Sequence, residues 1–131
     1  MLFFDGACRG NPGPASYGAV IYDHSKEVTT CCNYIGTATN NIAEYSGLYH
    51  GLLMCIEHGI DKIDVYGDSL LVINQMLGKW KVKSNNLTPI YQKIQSLLPQ
   101  FTSISFHHIP RNKNKRADQL ANEALDQHEQ S

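Results

Sequence analysis

Four carboxylate residues stand where predicted secondary-structure elements begin or end: Asp5, Glu44, Asp68 and Asp118. If the first and fourth strands are neighbours in one sheet, their carboxyl ends bring Asp5 and Asp68 together, and the flanking helices bring the other two. Four carboxylates this close would not all stay ionised without a cation. Ligand sets made only of oxygen favour Mg²⁺ or Mn²⁺ over zinc. Two such ions about 4 Å apart support phosphoryl transfer, which is the chemistry this pattern predicts.

Each carboxylate also has an ordinary structural explanation. Asp5 precedes a glycine, as in many turns, and Glu44 lies three residues after Asn41, where it could complete a capping box. Asp68 lies where an N-cap aspartate is common, and the helix dipole favours Asp118 in a first helical turn. The chemical interpretation therefore depends on the four occurring together at element boundaries.

The elements that must position these carboxylates follow from the apolar pattern. We predict strands at 1–5, 16–22, 28–35, 63–66 and 103–109, and helices at 41–58, 69–78, 88–98 and 114–127. Residues 6–15 are rich in glycine and proline, so we expect the first strand to end at Asp5 and a closely approaching loop to follow. The order β-β-β-α-β-α-α-β-α predicts an α/β fold with one mixed sheet flanked by helices.

Length and composition narrow the class of protein. A chain of 131 residues predicts one domain, spanning residues 1–131, with a substantial core. Its hydrophobic fraction of 42% and charged fraction of 18% are typical of globular proteins. No apolar run reaches the roughly 18–20 residues that cross a bilayer, and no secretory signal is visible. We therefore expect a cytoplasmic, intracellular protein, and a monomer because no dimer motif stands out.

Charge and cysteine content exclude further classes. The formal net charge of −1 argues against a basic surface that coats nucleic acid non-specifically. Two local basic clusters nevertheless occur, at residues 79–83 and 111–116, and each can equally be a solvated face. The cysteines at positions 8, 31, 32 and 55 form no C-x-x-C pair. We expect free thiols in a reducing compartment, without a zinc site or disulfide framework.

Four motifs, in chain order, resemble those of type 1 ribonuclease H. They are DGA with GNPG at 5–13, TNN-x-x-E at 39–44, GDS at 67–69, and the spaced set His108-x₅-Asn114-x₃-Asp118. The resemblance covers nearly the whole chain and implies a ribonuclease H-like fold, with a five-stranded mixed sheet in the order 3-2-1-4-5. It also implies endonucleolytic hydrolysis of the RNA strand of an RNA–DNA hybrid, leaving 5′-phosphate and 3′-hydroxyl ends.

The same resemblance implies catalytic roles. The residues that match its metal-binding carboxylates, for two Mg²⁺ ions with Mn²⁺ as a substitute, are Asp5, Glu44, Asp68 and Asp118. His108 matches a histidine that assists proton transfer or product release. The alternative is that His108 is an ordinary strand-end residue that contacts only solvent. Asn114 matches a residue that supports a loop.

Substrate contacts are implied as well. The positions that match contacts to the minor groove of the hybrid are Cys8, Asn11, Asn40 and Asn41. Thr39 matches part of a pocket for a DNA phosphate, which Asn85 would complete, and Trp80 resembles an aromatic residue of the DNA channel. Asn40 and Asn41 could instead cap a helix, and a lone tryptophan is more often part of the core.

The chain departs from the family pattern in three places. The long basic insertion of some members is absent, Thr37 stands about where some members have an arginine, and only four residues precede Asp5. Some relatives without the insertion also cut double-stranded RNA, which the sequence leaves open. Other interpretations are a non-catalytic nucleic-acid-binding module, an integrase-like polynucleotidyl transferase, and a ribonuclease H domain detached from a retroelement polymerase.

Overall fold

A computed structural model describes residues 1–130; Ser131, the last residue of the predicted domain, lies outside the described residues. The strands are β1 (Leu2–Cys8), β2 (Gly13–Asp23), β3 (Lys26–Ala38), β4 (Lys62–Gly67) and β5 (Ser103–His108). The helices are α1 (Asn40–Glu57), α2 (Leu70–Met76), α3 (Thr88–Leu97) and α4 (Lys115–Gln130), with short 3₁₀ turns at Leu98–Gln100 and Arg111–Lys113. The element order agrees with the prediction.

The strands form one mixed sheet in the order β3-β2-β1-β4-β5, which confirms the predicted topology. Strand β1 runs antiparallel to β2 and parallel to β4, and β4 runs parallel to β5. The last paired residues of β1 and β4 are Phe4 and Gly67. The residues that directly follow this pair, Asp5 and Asp68, therefore lie at the same end of the sheet.

The predicted end of the first strand at Asp5 is wrong. Strand β1 continues to Cys8 and pairs with β2 throughout, so that only residues 9–12 form the turn. Gly6 lies within the strand because α1 packs directly against it, and a Cβ at this position would collide with the backbone of Ala43 and Glu44. The glycine serves close helix packing rather than a turn, and the first strand is not unusually short.

The hydrophobic core lies between the sheet and helices α1 to α3. The fully buried side chains that dominate it include Leu2, Phe4, Tyr45, Leu48 and Leu52. Helix α4 covers the opposite face of β1, β2 and β3. Burial on both faces fixes the central strands, and the site is therefore built on rigid elements. No helix within residues 1–130 has both the length and the apolar character needed to cross a bilayer.

The cysteines behave as small side chains of the fold. All four lie within the described residues and are free thiols. Cys31 packs against the core, whereas the next residue, Cys32, is exposed beside α4. Adjacent residues of a strand point to opposite faces, as expected for this pair.

Candidate active site

Three carboxylates meet at the carboxyl end of the β1–β4 pair. Asp5, Glu44 and Asp68 each offer an oxygen within 4.8 Å of the others. Asp5 is only 3% exposed, and its Oδ1 accepts a hydrogen bond of 2.9 Å from the Gly6 N–H. The parallel pairing of the two strands accounts for the approach of Asp5 to Asp68, as the sequence predicted.

Glu44 reaches the same point from the second turn of α1. The helix is capped by Thr39, whose Oγ1 accepts from the Ile42 N–H at 3.2 Å. A capping box with Asn41 is therefore wrong, and Glu44 is free to face the sheet. Its Oε2 atom is buried and has no hydrogen-bond partner among the described residues.

Asp68 is likewise not a helix cap. Ser69 caps α2, its Oγ accepting from the Val72 N–H at 3.3 Å. Asp68 instead accepts a hydrogen bond of 2.9 Å at Oδ2 from Nδ2 of Asn114. The same Nδ2 donates to the Phe4 carbonyl oxygen at 2.8 Å, and Asn114 is only 2% exposed.

Asn114 therefore ties Asp68 to strand β1 at the point where Asp5 follows. The family resemblance implied loop support for this residue, not contact with a carboxylate. A buried amide that joins two strand ends is a long-range relation, and its only local signal is the spacing to Asp118.

Asp118, in the first turn of α4, lines the same cavity outside the 4.8 Å group. Arg111 lies beside it, with 3.9 Å between a guanidinium nitrogen and Oδ1, and Nδ2 of Asn122 donates to Oδ1 at 3.2 Å. The sequence interpretation gave no role to Asn122, although its spacing of four residues after Asp118 on one helix was a usable signal.

The carboxylates line a cavity of about 360 Å³, which we call the carboxylate cavity. Burial raises the pKa of Asp5 from 3.8 to about 7, and the charge of Asp68 acts in the same direction. Burial and the neighbouring Asp5 raise the pKa of Glu44 well above its ordinary value. Charged carboxylates are therefore disfavoured here in the absence of a counter-charge.

These residues fit a hard divalent cation. The donor set consists of carboxylate oxygens, which Mg²⁺ and Mn²⁺ prefer. The unpartnered Oε2 of Glu44 is a buried acceptor that a cation would satisfy, and cation binding would offset the repulsion among the three carboxylates. Asp5, Glu44 and Asp68 are the residues that would hold it.

His108 ends strand β5 near the cavity without lining it. The side chain is exposed, and its Nε2 lies 3.3 Å from the main-chain oxygen of Asp68. The histidine is thus an exposed strand-end residue, as the alternative to a catalytic role predicted. It nevertheless contacts a residue of the carboxylate cluster. His107 points elsewhere, and its ring stacks on Tyr66 at 4.9 Å.

Two of the four predicted groove contacts line the carboxylate cavity, and a third is hydrogen-bonded to one of them. Cys8 and Asn40 line it, and Oδ1 of Asn11 accepts from the Asn40 N–H at 3.0 Å. The Cys8 thiol lies 3.1 Å from the Ala38 carbonyl oxygen. Asn41, in the first turn of α1, is exposed. None of these side chains supplies the cap of α1, which is Thr39.

Trp80 and Asn85 lie apart from the carboxylates, on the irregular segment between α2 and α3. Trp80 is 45% exposed, so a place in the core is wrong. With Gln75, Lys81 and Tyr91 it lines a surface depression, which we call the Trp80 surface. Asn85 is exposed in a turn further along the segment.

Arg9 also lines the carboxylate cavity, and it had no role in the sequence interpretation. Its guanidinium group pairs with Asp126 and Glu129 near the end of α4. These ion pairs join the β1–β2 turn to a helix more than a hundred positions away. No local pattern signals such a contact.

Comparisons with known proteins agree with this geometry. A family model described as "Reverse transcriptase-like" matches residues 3–124. The bifunctional protein Rv2228c of Mycobacterium tuberculosis is 47% identical over 129 residues, which cover 97% of this chain. The chain spans only 35% of the length of that relative. A ribonuclease H of Clostridium botulinum is 33% identical, with 97% of this chain and 95% of the relative covered.

Solved structures extend the likeness to three dimensions. The crystal structure of ribonuclease H1 from the halophilic archaeon Halobacterium salinarum NRC-1 is 43% identical, with a TM-score of 0.92 and 96% of both chains covered. LC11 ribonuclease H1, solved in complex with an RNA/DNA hybrid, is 39% identical with a TM-score of 0.90. That comparison covers 97% of this chain and 96% of the other. The chain belongs to the ribonuclease H family.

Proposed function

We propose that this chain is a metal-dependent endonuclease that hydrolyses the RNA strand of RNA–DNA hybrids and leaves 5′-phosphate and 3′-hydroxyl ends. The observation that carries the proposal is the meeting of Asp5, Glu44 and Asp68 within 4.8 Å, on a fold whose relative LC11 was crystallised with such a hybrid. We further propose that residues 1–131 form one catalytic domain that acts as a monomer inside the cell.

The carboxylates form the reactive centre. Asp5, Glu44 and Asp68, supported by Asp118, would hold two Mg²⁺ ions or Mn²⁺ in their place, which when bound activate the attacking water and stabilise the leaving 3′ oxygen. The chain's own contribution is to place these oxygens on β1, on α1 and directly after β4, and to keep Asp5 almost fully buried. Asn114 holds Asp68 against β1 through its two hydrogen bonds.

We assign to His108 a role in proton transfer at the edge of the site. Its imidazole is exposed and lies beside the main chain of Asp68, one of the clustered carboxylate residues, which supports this role. A histidine in this position can donate a proton to the leaving oxygen or help the product depart. Arg111, beside Asp118, provides a positive charge at the same rim.

We assign recognition of the RNA strand to four residues near the carboxylate cavity, which are Cys8, Asn11, Asn40 and Asn41. RNA differs from DNA by its 2′-hydroxyl groups, which the wide minor groove of a hybrid displays. Short amides that project from a turn and a first helical turn can donate to and accept from these hydroxyls. The hydrogen bond between Asn11 and the Asn40 main chain holds the turn against the helix.

We assign contacts with the DNA strand to Thr39, Asn85 and Trp80. Thr39 uses its Oγ1 as an acceptor for the helix cap, which leaves its hydroxyl hydrogen available for a phosphate. Asn85 would complete that contact, and the exposed face of Trp80 offers stacking to the DNA strand beside Lys81.

The test is cleavage of one labelled sequence presented as an RNA–DNA hybrid, as double-stranded RNA and as double-stranded DNA. Each duplex is incubated with Mg²⁺, with Mn²⁺ and with a chelator, and product ends are identified by phosphatase sensitivity. We expect metal-dependent cutting of the RNA strand of the hybrid. Intact hybrid under all metal conditions, with tight binding retained, would replace this proposal with a non-catalytic binding module. Cleavage of double-stranded RNA, or its absence, shows whether the substrate range extends beyond RNA–DNA hybrids.

A further inference from the structure

A second cavity, of about 350 Å³, lies beyond the carboxylates on the side of the sheet that α4 covers. We call it the outer pocket, and the residues that carry its chemistry are Phe3, Tyr22, His24, Lys113, Lys115 and Arg116. Its volume is within the roughly 300–1,000 Å³ range of small-molecule sites. Apart from Asn114, which holds Asp68, no residue that lines this pocket has a role in the proposed cleavage reaction.

The wall of the outer pocket is aromatic and firmly held. Phe3 stacks on Tyr66 of the neighbouring strand, with ring centres 4.9 Å apart and planes 16° from parallel. Tyr22 meets Phe3 edge to face at 5.6 Å. Both wall residues are partly exposed. The pocket therefore presents rigid ring surface to solvent, which suits a flat aromatic guest.

The rim of the outer pocket is basic. Lys113, Lys115 and Arg116 line it, and no aspartate or glutamate is among its lining residues. Arg116 is oriented by Glu27, which accepts from its Nε at 2.8 Å. Neither lysine has an ion pair within residues 1–130. The pocket thus differs in sign from the carboxylate cavity, and its rim favours an anion.

One short segment joins the two cavities. Arg111 lines the carboxylate cavity, and Lys113 and Lys115 line the outer pocket. Between them, Asn114 lines the outer pocket while its amide donates to Asp68. The basic cluster noted in the sequence is therefore divided between the two cavities, and residues 111–115 connect them along the chain.

We propose that the outer pocket binds an unpaired nucleotide of a nucleic acid strand, with the base against Phe3 and Tyr22 and the phosphate near Lys113 and Lys115. Aromatic surface combined with basic residues is the usual composition of sites for single-stranded nucleic acid. The continuity with the carboxylate cavity rests on the proposed function, whereas the shape and charge of the pocket do not. An acidic peptide would use the charge but would not need the aromatic wall.

The test is a titration of the metal-free protein, followed by amide NMR shifts, with three probes. They are a short single-stranded RNA, an abasic strand of equal charge, and an acidic peptide of equal charge. We expect the RNA to shift amides at 22–25 and 112–117, and to bind at least about fivefold more tightly than the abasic strand, since one stacked base contributes about 1–3 kcal/mol. Shifts confined to the carboxylate cavity, equal affinity for RNA and abasic strand, or tighter binding of the peptide would overturn the proposal.

Two variants separate the contributions of charge and ring. Lys113→Gln with Lys115→Gln should weaken RNA binding about five- to tenfold, whereas Lys62→Gln with Lys93→Gln, which removes two exposed charges elsewhere, should not. Tyr22→Leu should weaken binding of the RNA but not of the abasic strand. Thermal unfolding checks that each variant is folded. Unchanged RNA affinity in the first variant contradicts the proposal.

Cleavage of a blunt hybrid with Mg²⁺ distinguishes this proposal from the proposed function. Cleavage without RNA-induced shifts at the outer pocket would reject the outer-pocket site alone. RNA binding at the outer pocket without any cleavage would reject the endonuclease alone.

Discussion

The carboxylate cavity and the Trp80 surface are two parts of one proposed site, built in opposite ways. The carboxylates lie on β1, on α1, directly after β4 and in the first turn of α4, and Asp5 is almost fully buried. Trp80 lies on an irregular segment and is 45% exposed. Burial gives the carboxylates fixed positions at a cost in stability, since charges are removed from water. Exposed recognition residues carry no such cost, so substitutions in the two regions should differ in their effects on the cleavage rate and on Tm.

The largest effect is expected for Glu44→Gln. Loss of one cation ligand should lower the cleavage rate by about 10³-fold, equivalent to several kcal/mol of transition-state stabilisation. The same change removes a carboxyl group whose pKa burial raises well above normal, so the metal-free protein should become more stable, by about 2–4 °C in Tm.

Cleavage assays and thermal unfolding in chelator measure both effects of Glu44→Gln. Glu57→Gln, an exposed position at the end of the same helix, is the matched control and should change neither quantity. A variant that loses both stability and activity would show that Glu44 holds the fold together rather than a cation.

His108→Ala should have the next largest effect. Loss of a proton-transfer group costs about 10²-fold or more in kcat, and some activity should remain because the carboxylates are untouched. His107→Ala, at the neighbouring position with its ring turned away, is the control. Single-turnover and steady-state rates separate slow chemistry from slow product release. Equal kcat for the two variants would leave His108 as a solvent-exposed strand end.

Asn114→Ala should lower activity by about 10- to 100-fold, as for other residues that orient metal ligands. Without its hydrogen bond Asp68 is less well placed, so the Mg²⁺ concentration that gives half-maximal rate should rise. That shift separates a positioning role from simple loss of stability. The exposed Asn86→Ala is the control. An unchanged Mg²⁺ requirement would contradict the positioning role.

The effect of Mg²⁺ on stability should depend on pH. Burial raises the pKa of Asp5 from 3.8 in its ordinary state to about 7 in the fold. The stabilisation that the fold gains from protonated Asp5 is fully present below pH 3.8, and it is lost as the pH rises through about 7. Metal-free Tm should therefore fall between pH 5 and pH 8.

Mg²⁺ should restore Tm at pH 8 and have little effect at pH 5, because the carboxylates must lose their protons to bind it. Thermal unfolding with and without Mg²⁺ at pH 5 and at pH 8 measures this change in Tm. Equal stabilisation at both would contradict a cation site that includes Asp5.

The smallest effect is expected for Trp80→Ala. Loss of one stacking contact should raise KM about fivefold and leave kcat and Tm nearly unchanged, because the ring is half exposed. The control is Leu77→Ala, an exposed apolar position just after α2. A drop in kcat without a change in KM would move Trp80 from recognition to catalysis.

Apolar periodicity predicted the element order and one mixed sheet flanked by helices, since this signal is local, whereas the strand order 3-2-1-4-5 was implied only by the resemblance to ribonuclease H. The local patterns misplaced the end of β1 because they gave Gly6 to a turn. The glycine instead allows α1 to pack closely against β1, which is a contact between residues far apart in sequence. The ordinary capping roles of Glu44 and Asp68 were wrong for a similar reason, as Thr39 and Ser69 take those positions. The link from Asn114 to Asp68 exists only in the folded chain.

The most direct test of the central claim compares Asp68→Asn with Asp64→Asn in one hybrid-cleavage assay with Mg²⁺. Both residues come from the β4 region, and only Asp68 lines the carboxylate cavity, while Asp64 is exposed. If the carboxylate cavity is the active site, Asp68→Asn keeps the fold and loses metal-dependent cutting, and Asp64→Asn cuts like the unaltered protein. Substantial cutting by the folded Asp68→Asn variant would contradict the claim that this cavity is the active site.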